Sequence, residues 1–324
     1  MKNKIGDYMK TTFRTDLAME LQQTLTDNTG VEAFSEEEGG ITTTWVKVTN
    51  QAGAEKIGKP EGNYITLESA QMKENNLEAH ELLAATLADT LRQLSDMPEE
   101  AAVLVIGLGN RHVTPDALGP LVCEKLLVTR HLQDDVPVDY MGKLRSVCAL
   151  APGVMGITGI ETAEIVRGVA EKVSPDLIIA IDALAARSTS RINATIQISD
   201  TGINPGAGLG NKRTPINKES TGVPVIAIGV PTVVDAATLV NDAMEKILEC
   251  VKEHATEEDS IFSMLKNIGG QNRYELITEM LDPYAENMFV TPKEVDAVIE
   301  RLATIIAEGL NIALHPGLEG AVYS

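Results

Sequence analysis

The chain has 324 residues, 44% of them apolar, enough to build one large core or two modest ones. Its net charge of -20, from 47 acidic against 27 basic residues, argues against wrapping nucleic acid and fits a soluble protein, with slight favour for a basic partner. No uninterrupted apolar stretch of about 18 residues is present to span a membrane. The polar start, MKNKIGDYMKTTFRTD, lacks the apolar centre of a secretory signal, so a cytoplasmic location is expected.

Aromatic residues make up only 3%, so the core must be built from Ala, Val, Ile and Leu, which suits helices packed on a parallel sheet. In RTDLAMELQQTL, Leu17, Leu21 and Leu25 recur every fourth residue and predict a short amphipathic helix after a polar leader. Gly39 and Gly40 break the chain. Residues 41–48 (ITTTWVKV) and 63–69 (NYITLES) read as strands, joined by the turn-rich QAGAEKIGKPEG. Residues 71–95 carry leucines at helical spacing and end before Met97-Pro98.

From Ala101 onward strands and helices alternate. VLVIGL is a strand, ALGPLVCEKLLV a helix, KLRSVCAL a strand, GIETAEIVRGVAEKV a helix and LIIAI a strand. Strands over Asn193–Ser199 and Val223–Gly229 follow, then one long helix over TVVDAATLVNDAMEKILECVKEH. Residues 255–290 are polar and irregular. Thr291-Pro292-Lys293-Glu294 has the pattern of a helix entry, with Thr as cap and Glu three residues on, and the helix should run to about Leu314. The pattern predicts a three-layer α/β/α sandwich with a mostly parallel sheet and an N-terminal β-containing extension.

Open α/β sheets place their sites at the carboxyl ends of their strands. Two aspartates stand at such ends: Asp116 in VTPDALGP after the VLVIGL strand, and Asp182 directly after LIIAI. Two carboxylates held close share a proton, which lets one act as base on a water while the other protonates or polarises a carbonyl. For Asp116 a first-turn role at the helix dipole explains its position equally well. Asp235, in PTVVD, is the best third acid, and a first-turn role serves it equally. Gly107-Leu108-Gly109 after a strand suggests a dinucleotide loop but fails it, because His112 stands where the third glycine belongs and Pro115 delays the helix. No cofactor is expected. His112 has no partner at metal-ligand spacing, and the scattered Cys123, Cys148 and Cys250 fit neither a zinc nor a disulfide pattern, so no metal is expected. The glycine-rich SDTGINPGAGLGNKRT ends in Lys212 and Arg213 and reads as a mobile lid whose cations meet acidic side chains, or as a solvated loop.

The motifs GLGNRHVTPDALGP, APGVMGITGIET, AIDALAARS, QISDTGINPGAGLGNKR, VPVIAIGVPTVVDA and NMFVTPKEVD occur in one order between Arg14 and about His315. Together they resemble the spore germination protease family of endospore-forming bacteria. The resemblance implies an atypical aspartic endopeptidase that starts the breakdown of small acid-soluble spore proteins, with a core similar to that of the hydrogenase-maturation peptidases. It implies that Asp116 and Asp182 are the catalytic pair; charge-assisted hydrogen bonding makes Lys212, Arg213 or Arg187 the residue expected to hold the acidic side chain before the cut. The resemblance further implies a homotetramer in the spore core, without nucleic-acid or membrane partners, and a zymogen that removes its own leader.

The family's substrates are cut in a run similar to Glu-Ile-Ala-x-Glu-Phe, and this chain has Asp16-Leu17-Ala18-Met19-Glu20-Leu21. Cleavage at Asp16-Leu17 is therefore expected. It would divide the chain into a propeptide, 1–16, and a single peptidase domain, 17–324, made of an N-terminal helix and strand region (17–98) and a catalytic core with the C-terminal helix (99–324). Segment 251–280 is short beside family members. Two rivals fit the same fold: a metal-dependent maturation peptidase, and a protein that binds spore proteins without cutting them.

Overall fold

A computed structural model describes residues 15–95, 97–132, 144–206, 213–254, 276–281 and 288–316. One sheet joins the strands of these segments. Its strands are β1 (Val31–Glu38), β2 (Ile41–Val48), β3 (Gly62–Glu68), β4 (Ala102–Gly107), β5 (Ser146–Leu150), β6 (Leu177–Ala186), β7 (Thr195–Ser199), β8 (Val225–Asp235) and β9 (Phe289–Val290). Their order is β1-β2-β3-β7-β8-β6-β4-β5, with β9 on β8. The block β5-β4-β6-β8 is parallel, whereas β7, β3, β2 and β1 pair antiparallel. The expected α/β architecture is present, and the N-terminal β extension continues the same sheet through β3 and β7.

Helices cover both faces. The longer ones among the described residues are α1 (Ala18–Gln23), α2 (Gln51–Ile57), α3 (Leu77–Leu94), α4 (Leu118–Lys125), α5 (Thr162–Val173), α6 (Ala236–His254) and α7 (Val295–Leu314). Alternation along the strands sorts the core. Val103, Val105, Leu177, Ile179 and Ile181 face the layer of α3, α4 and α7, while Leu104, Ile106, Ile178 and Ala180 face α5. Asp182 continues the even series and so points to the α5 side. On α7, Val295, Val298, Ile299, Leu302, Ile305 and Ile306 are all buried, as their spacing predicts.

Several boundaries differ from the sequence expectation, each for a local reason. QAGAEKI is helical, because the Asn50 side chain accepts a hydrogen bond from Gly53 N–H and Gly58, at φ 66°, closes the far end. The acidic β1 lacks apolar alternation, and its pairing is set by the Gly39-Gly40 turn, both at positive φ, as a two-residue hairpin requires. The leucine-rich stretch begins as a 3-10 turn (Ala70–Lys73), and α3 starts only at Leu77 behind an Asn76 cap. Strand β8 runs on through the β-branched Thr232-Val233-Val234, so α6 starts at Ala236. The Thr291 hydroxyl does not cap α7. It donates to Thr232 O at 2.9 Å, and the helix begins at Val295.

Candidate active site

The site forms where β4 ends beside β6, which runs on paired with β8. Leu108 N–H donates to Ile181 O at 2.8 Å, so the loop leaving β4 starts against β6 one residue before Asp182. Close contact between β4 and α4 holds that loop. A Cβ on Gly107 would fall 2.2 Å from Gly119 O, and one on Gly119 2.4 Å from Leu108 O. Gly109, at φ 108°, passes so near Asp116 O that a Cβ would come within 2.1 Å of it. The glycines of this loop serve close packing and a left-handed backbone.

Asp116 sits in a 3-10 turn, Thr114–Asp116, with Pro115 inside it. Its carboxylate turns back to accept a hydrogen bond from Asn110 N–H at 2.8 Å, and Pro115 O accepts one from the buried Thr232 hydroxyl at 2.7 Å. The loop is thereby tied to itself and to β8. Asp182 lies inside β6, which continues to Ala186 rather than ending at Ile181. It is 6% exposed, and Ala183 N–H donates to its Oδ1 at 2.9 Å.

Asp116 and Asp182 line one cavity of about 400 Å³, together with Asp16, Arg213, Thr232 and the 153–154 backbone. Burial raises the Asp182 pKa well above its ordinary 3.8, and the charges of Asp116 and Asp16 raise it further, against the Ala183 N–H and Arg213. Burial also raises that of Asp116, opposed by the Asn110 N–H and Arg213. Three carboxyl groups share this low-dielectric space with the guanidinium of Arg213, which favours retention of a proton among them.

Asp16 arrives from the far end of the sequence. Its N–H donates to Ala185 O at 3.0 Å, and its Oδ2 accepts from Ala185 N–H at 2.9 Å, so the segment is stitched to β6 three residues beyond Asp182. Asp16 O accepts from Lys59 Nζ at 2.9 Å and from Gln197 Nε2 at 3.1 Å. Gln197 Oε1 in turn accepts from Ala18 N–H at 2.6 Å. Leu17 is fully buried against Val46, Tyr64, Leu184 and Ala186. Glu20, 1% exposed, is met by the N–H groups of Arg187 (2.8 Å) and Ser188 (3.1 Å), by Arg191 Nη1 (2.9 Å) and by the Thr15 hydroxyl. Arg191 is shared with Glu68 at 2.9 Å.

The other sequence candidates sort clearly. Arg213 lines the cavity; Lys212 lies outside the described residues. Arg187 is not among the lining residues: its N–H goes to Glu20 and its charge lies near Asp242. Asp235 ends β8 and accepts from Ala237 N–H at 2.7 Å, the helix-entry role of its two alternatives. His112 is exposed, with its N–H on the Asn110 side chain. The third carboxylate of the cavity is therefore Asp16. Lys59, Gln197 and the Glu20–Arg191 pair carry no sequence signal as site residues, because single Lys, Gln and Glu residues at these spacings are ordinary surface residues. Among the described residues, no three His, Cys, Asp or Glu side chains converge as metal ligands, and no helix is long and apolar enough to cross a membrane.

Comparison with known proteins fixes the class. The germination protease family matches residues 10–269 and 253–322. The germination protease of Caldanaerobacter subterraneus subsp. tengcongensis is 48% identical over 307 residues, covering 94% of this chain and 95% of its own. That of Clostridium acetobutylicum is 46% identical over 314 residues, covering 94% and 96%. That of Bacillus subtilis is 43% identical over 356 aligned positions, covering 97% and 96%. The chain belongs to the germination protease family. It is a peptidase, a hydrolase acting on protein substrates. The Bacillus subtilis alignment is longer than the 324 residues here, so that relative carries residues this chain lacks. The two family matches overlap at 253–269, within the segment 251–280 that is expected to be short.

Proposed function

We propose that this peptidase is an aspartic endopeptidase whose catalytic pair is Asp116 and Asp182, and that its first substrate is its own Asp16–Leu17 bond. The observation that carries this is the docking of residues 15–20: Asp16 lines the same cavity as the two aspartates, with its backbone stitched to β6. Release of residues 1–16 as a propeptide leaves a peptidase domain from Leu17 onward.

In the reaction one carboxylate of the pair takes a proton from a water, whose oxygen attacks the Asp16 carbonyl carbon. The partner carboxyl, held protonated by burial and by like charge, gives its proton to the Leu17 nitrogen as the C–N bond breaks. No covalent enzyme intermediate forms. Arg213, with Lys212 beside it in sequence, offsets the negative charge of an acidic residue placed before the cut. The Glu20 cradle holds the residues after it.

The external substrates are small acid-soluble spore proteins, cut after an acidic residue in the spore core, and the working form is a homotetramer. Incubating the self-processed protein with such a spore protein should yield fragments with a new apolar N-terminus. An intact substrate after prolonged incubation overturns this assignment and leaves a binding role.

A further inference from the structure

The Asp16 carbonyl carries two donors on one oxygen, and neither belongs to the aspartate pair. Lys59 Nζ lies 2.9 Å from it and Gln197 Nε2 3.1 Å. Both are placed by rigid elements. Gln197 is in the middle of β7, 8% exposed, paired across to Thr66 on β3 and Gly229 on β8. Lys59 is set between Gly58, whose left-handed φ of 66° ends α2, and Pro60, whose carbonyl is bonded by Tyr64.

The Gln197 amide also reads the chain on the other side of the bond, since its Oε1 accepts from Ala18 N–H at 2.6 Å. An amide has a donor end and an acceptor end, so this contact fixes its Nε2 toward Asp16 O. One side chain thus clasps the backbone before and after Leu17 and orients the carbonyl between them. Lys59 brings a cation to a neutral oxygen, with the Asp16 charge close by, although its removal from water disfavours the charge.

We propose that Lys59 and Gln197 are the oxyanion-binding residues of this peptidase, an assignment that rests on Asp16–Leu17 being the bond cut. When water adds to the Asp16 carbonyl carbon, the C=O electron pair moves onto the oxygen, which becomes a full anion. An ammonium and an amide N–H already in place bind that anion far more strongly than the carbonyl it replaces, and only this difference accelerates the reaction. As the oxygen re-forms its double bond, the C–N bond breaks, and the nitrogen of Leu17 leaves with the proton of the aspartate pair. Because Lys59 and Gln197 hold the oxygen, neither aspartate has to, and the pair is left to handle the water and the leaving amine.

The test is the rate of self-cleavage of the full chain, followed by mass, with hydrogen exchange of the Ala18 amide as a measure of docking. Lys59→Met should cut at the same bond about 10²- to 10³-fold more slowly, with Ala18 as protected as in the unaltered chain. Lys59→Arg should recover part of the rate, and Gln197→Ala should lose tenfold or more. If Lys59→Met does not fold, those two variants carry the comparison, with docking in Gln197→Ala read from the other amides of α1, because Ala18 N–H loses its acceptor there. A Lys59→Met rate within threefold of the unaltered chain overturns the proposal, as does a slow variant whose Ala18 exchanges freely, since Lys59 is then only an anchor. An unaltered chain that never cuts at Asp16–Leu17 overturns instead the reading of the site on which the proposal rests.

Discussion

At the scale of single residues, the unusual one is Asp182. It retains its proton above the ordinary carboxylate range because it is buried beside two other acids. Between the ordinary 3.8 and its raised value, the native state binds a proton that the unfolded chain has lost, so stability falls as pH rises through that window. Asp182→Asn keeps the shape and the acceptor for Ala183 N–H but removes the ionisation. Its thermal midpoint should match that of the unaltered chain near pH 3.5 and exceed it at pH 7 by about 2–4 °C for each kcal/mol recovered. An equal difference at both pH values would show that Asp182 does not resist ionisation. Asp182 stood out in the sequence because it directly follows the apolar run LIIAI, and Asp116 because it lies in the turn-rich loop that leaves the apolar run VLVIGL. Asp16 as their neighbour followed only from the substrate-like run Asp16–Leu21 together with the family resemblance: the residue is 166 positions from Asp182, and no apolar run or spacing encodes that contact.

At the scale of elements, two contacts decide whether the site exists. One is the approach of α4 to β4 through Gly107 and Gly119, which sets the Asp116 loop. Gly119→Ala forces a Cβ to within 2.4 Å of Leu108 O and 2.7 Å of Ile181 O, both backbone atoms that cannot turn aside. It should cost about 1–3 kcal/mol in urea unfolding; a change below 0.5 kcal/mol would mean that α4 is free to shift. The other contact is the docking of α1. Six residues cannot sustain a helix alone, and Glu20 anchors this one to Arg191 and to the backbone of 187–188. Glu20→Ala leaves those donors without their carboxylate, so hydrogen exchange across Ala18–Gln23 should accelerate at least tenfold while the protection of β6 is kept. Unchanged exchange in α1 would show that Leu17 and its apolar neighbours suffice. The leucine spacing announced this helix, but not that its polar face is the one that is tied down.

At the scale of the whole molecule, composition and alternation foretold the α/β class, and the C-terminal helix was readable in its buried face and its end at Leu314, though it enters at Val295 and not behind a Thr291 cap. Strand direction was not readable. The five-residue β7, Thr-Ile-Gln-Ile-Ser, is too short for its alternation to state its direction or its partner, so the junction at β3 and β7 that extends the parallel block into one nine-stranded sheet had no sequence signature. That junction brings Gln197, on β7, and Lys59, before β3, to the same Asp16 carbonyl oxygen. Strand β1 is an edge of the sheet, mostly exposed, with Phe34 stacked on Trp45 at 5.8 Å. Sedimentation equilibrium should give four chains of 34.8 kDa; a single chain at micromolar concentration would contradict the tetramer.

The claim on which the rest depends is that Asp116 and Asp182 together cut Asp16–Leu17. Mass spectrometry of the mildly acidified full-length protein addresses it directly, with Asp116→Asn and Asp182→Asn treated alongside. The unaltered chain should lose residues 1–16 and no others, and both variants should stay full length while keeping the native circular dichroism spectrum. Loss at another bond, or processing of either variant at a rate near that of the unaltered chain, would contradict the assignment of the pair.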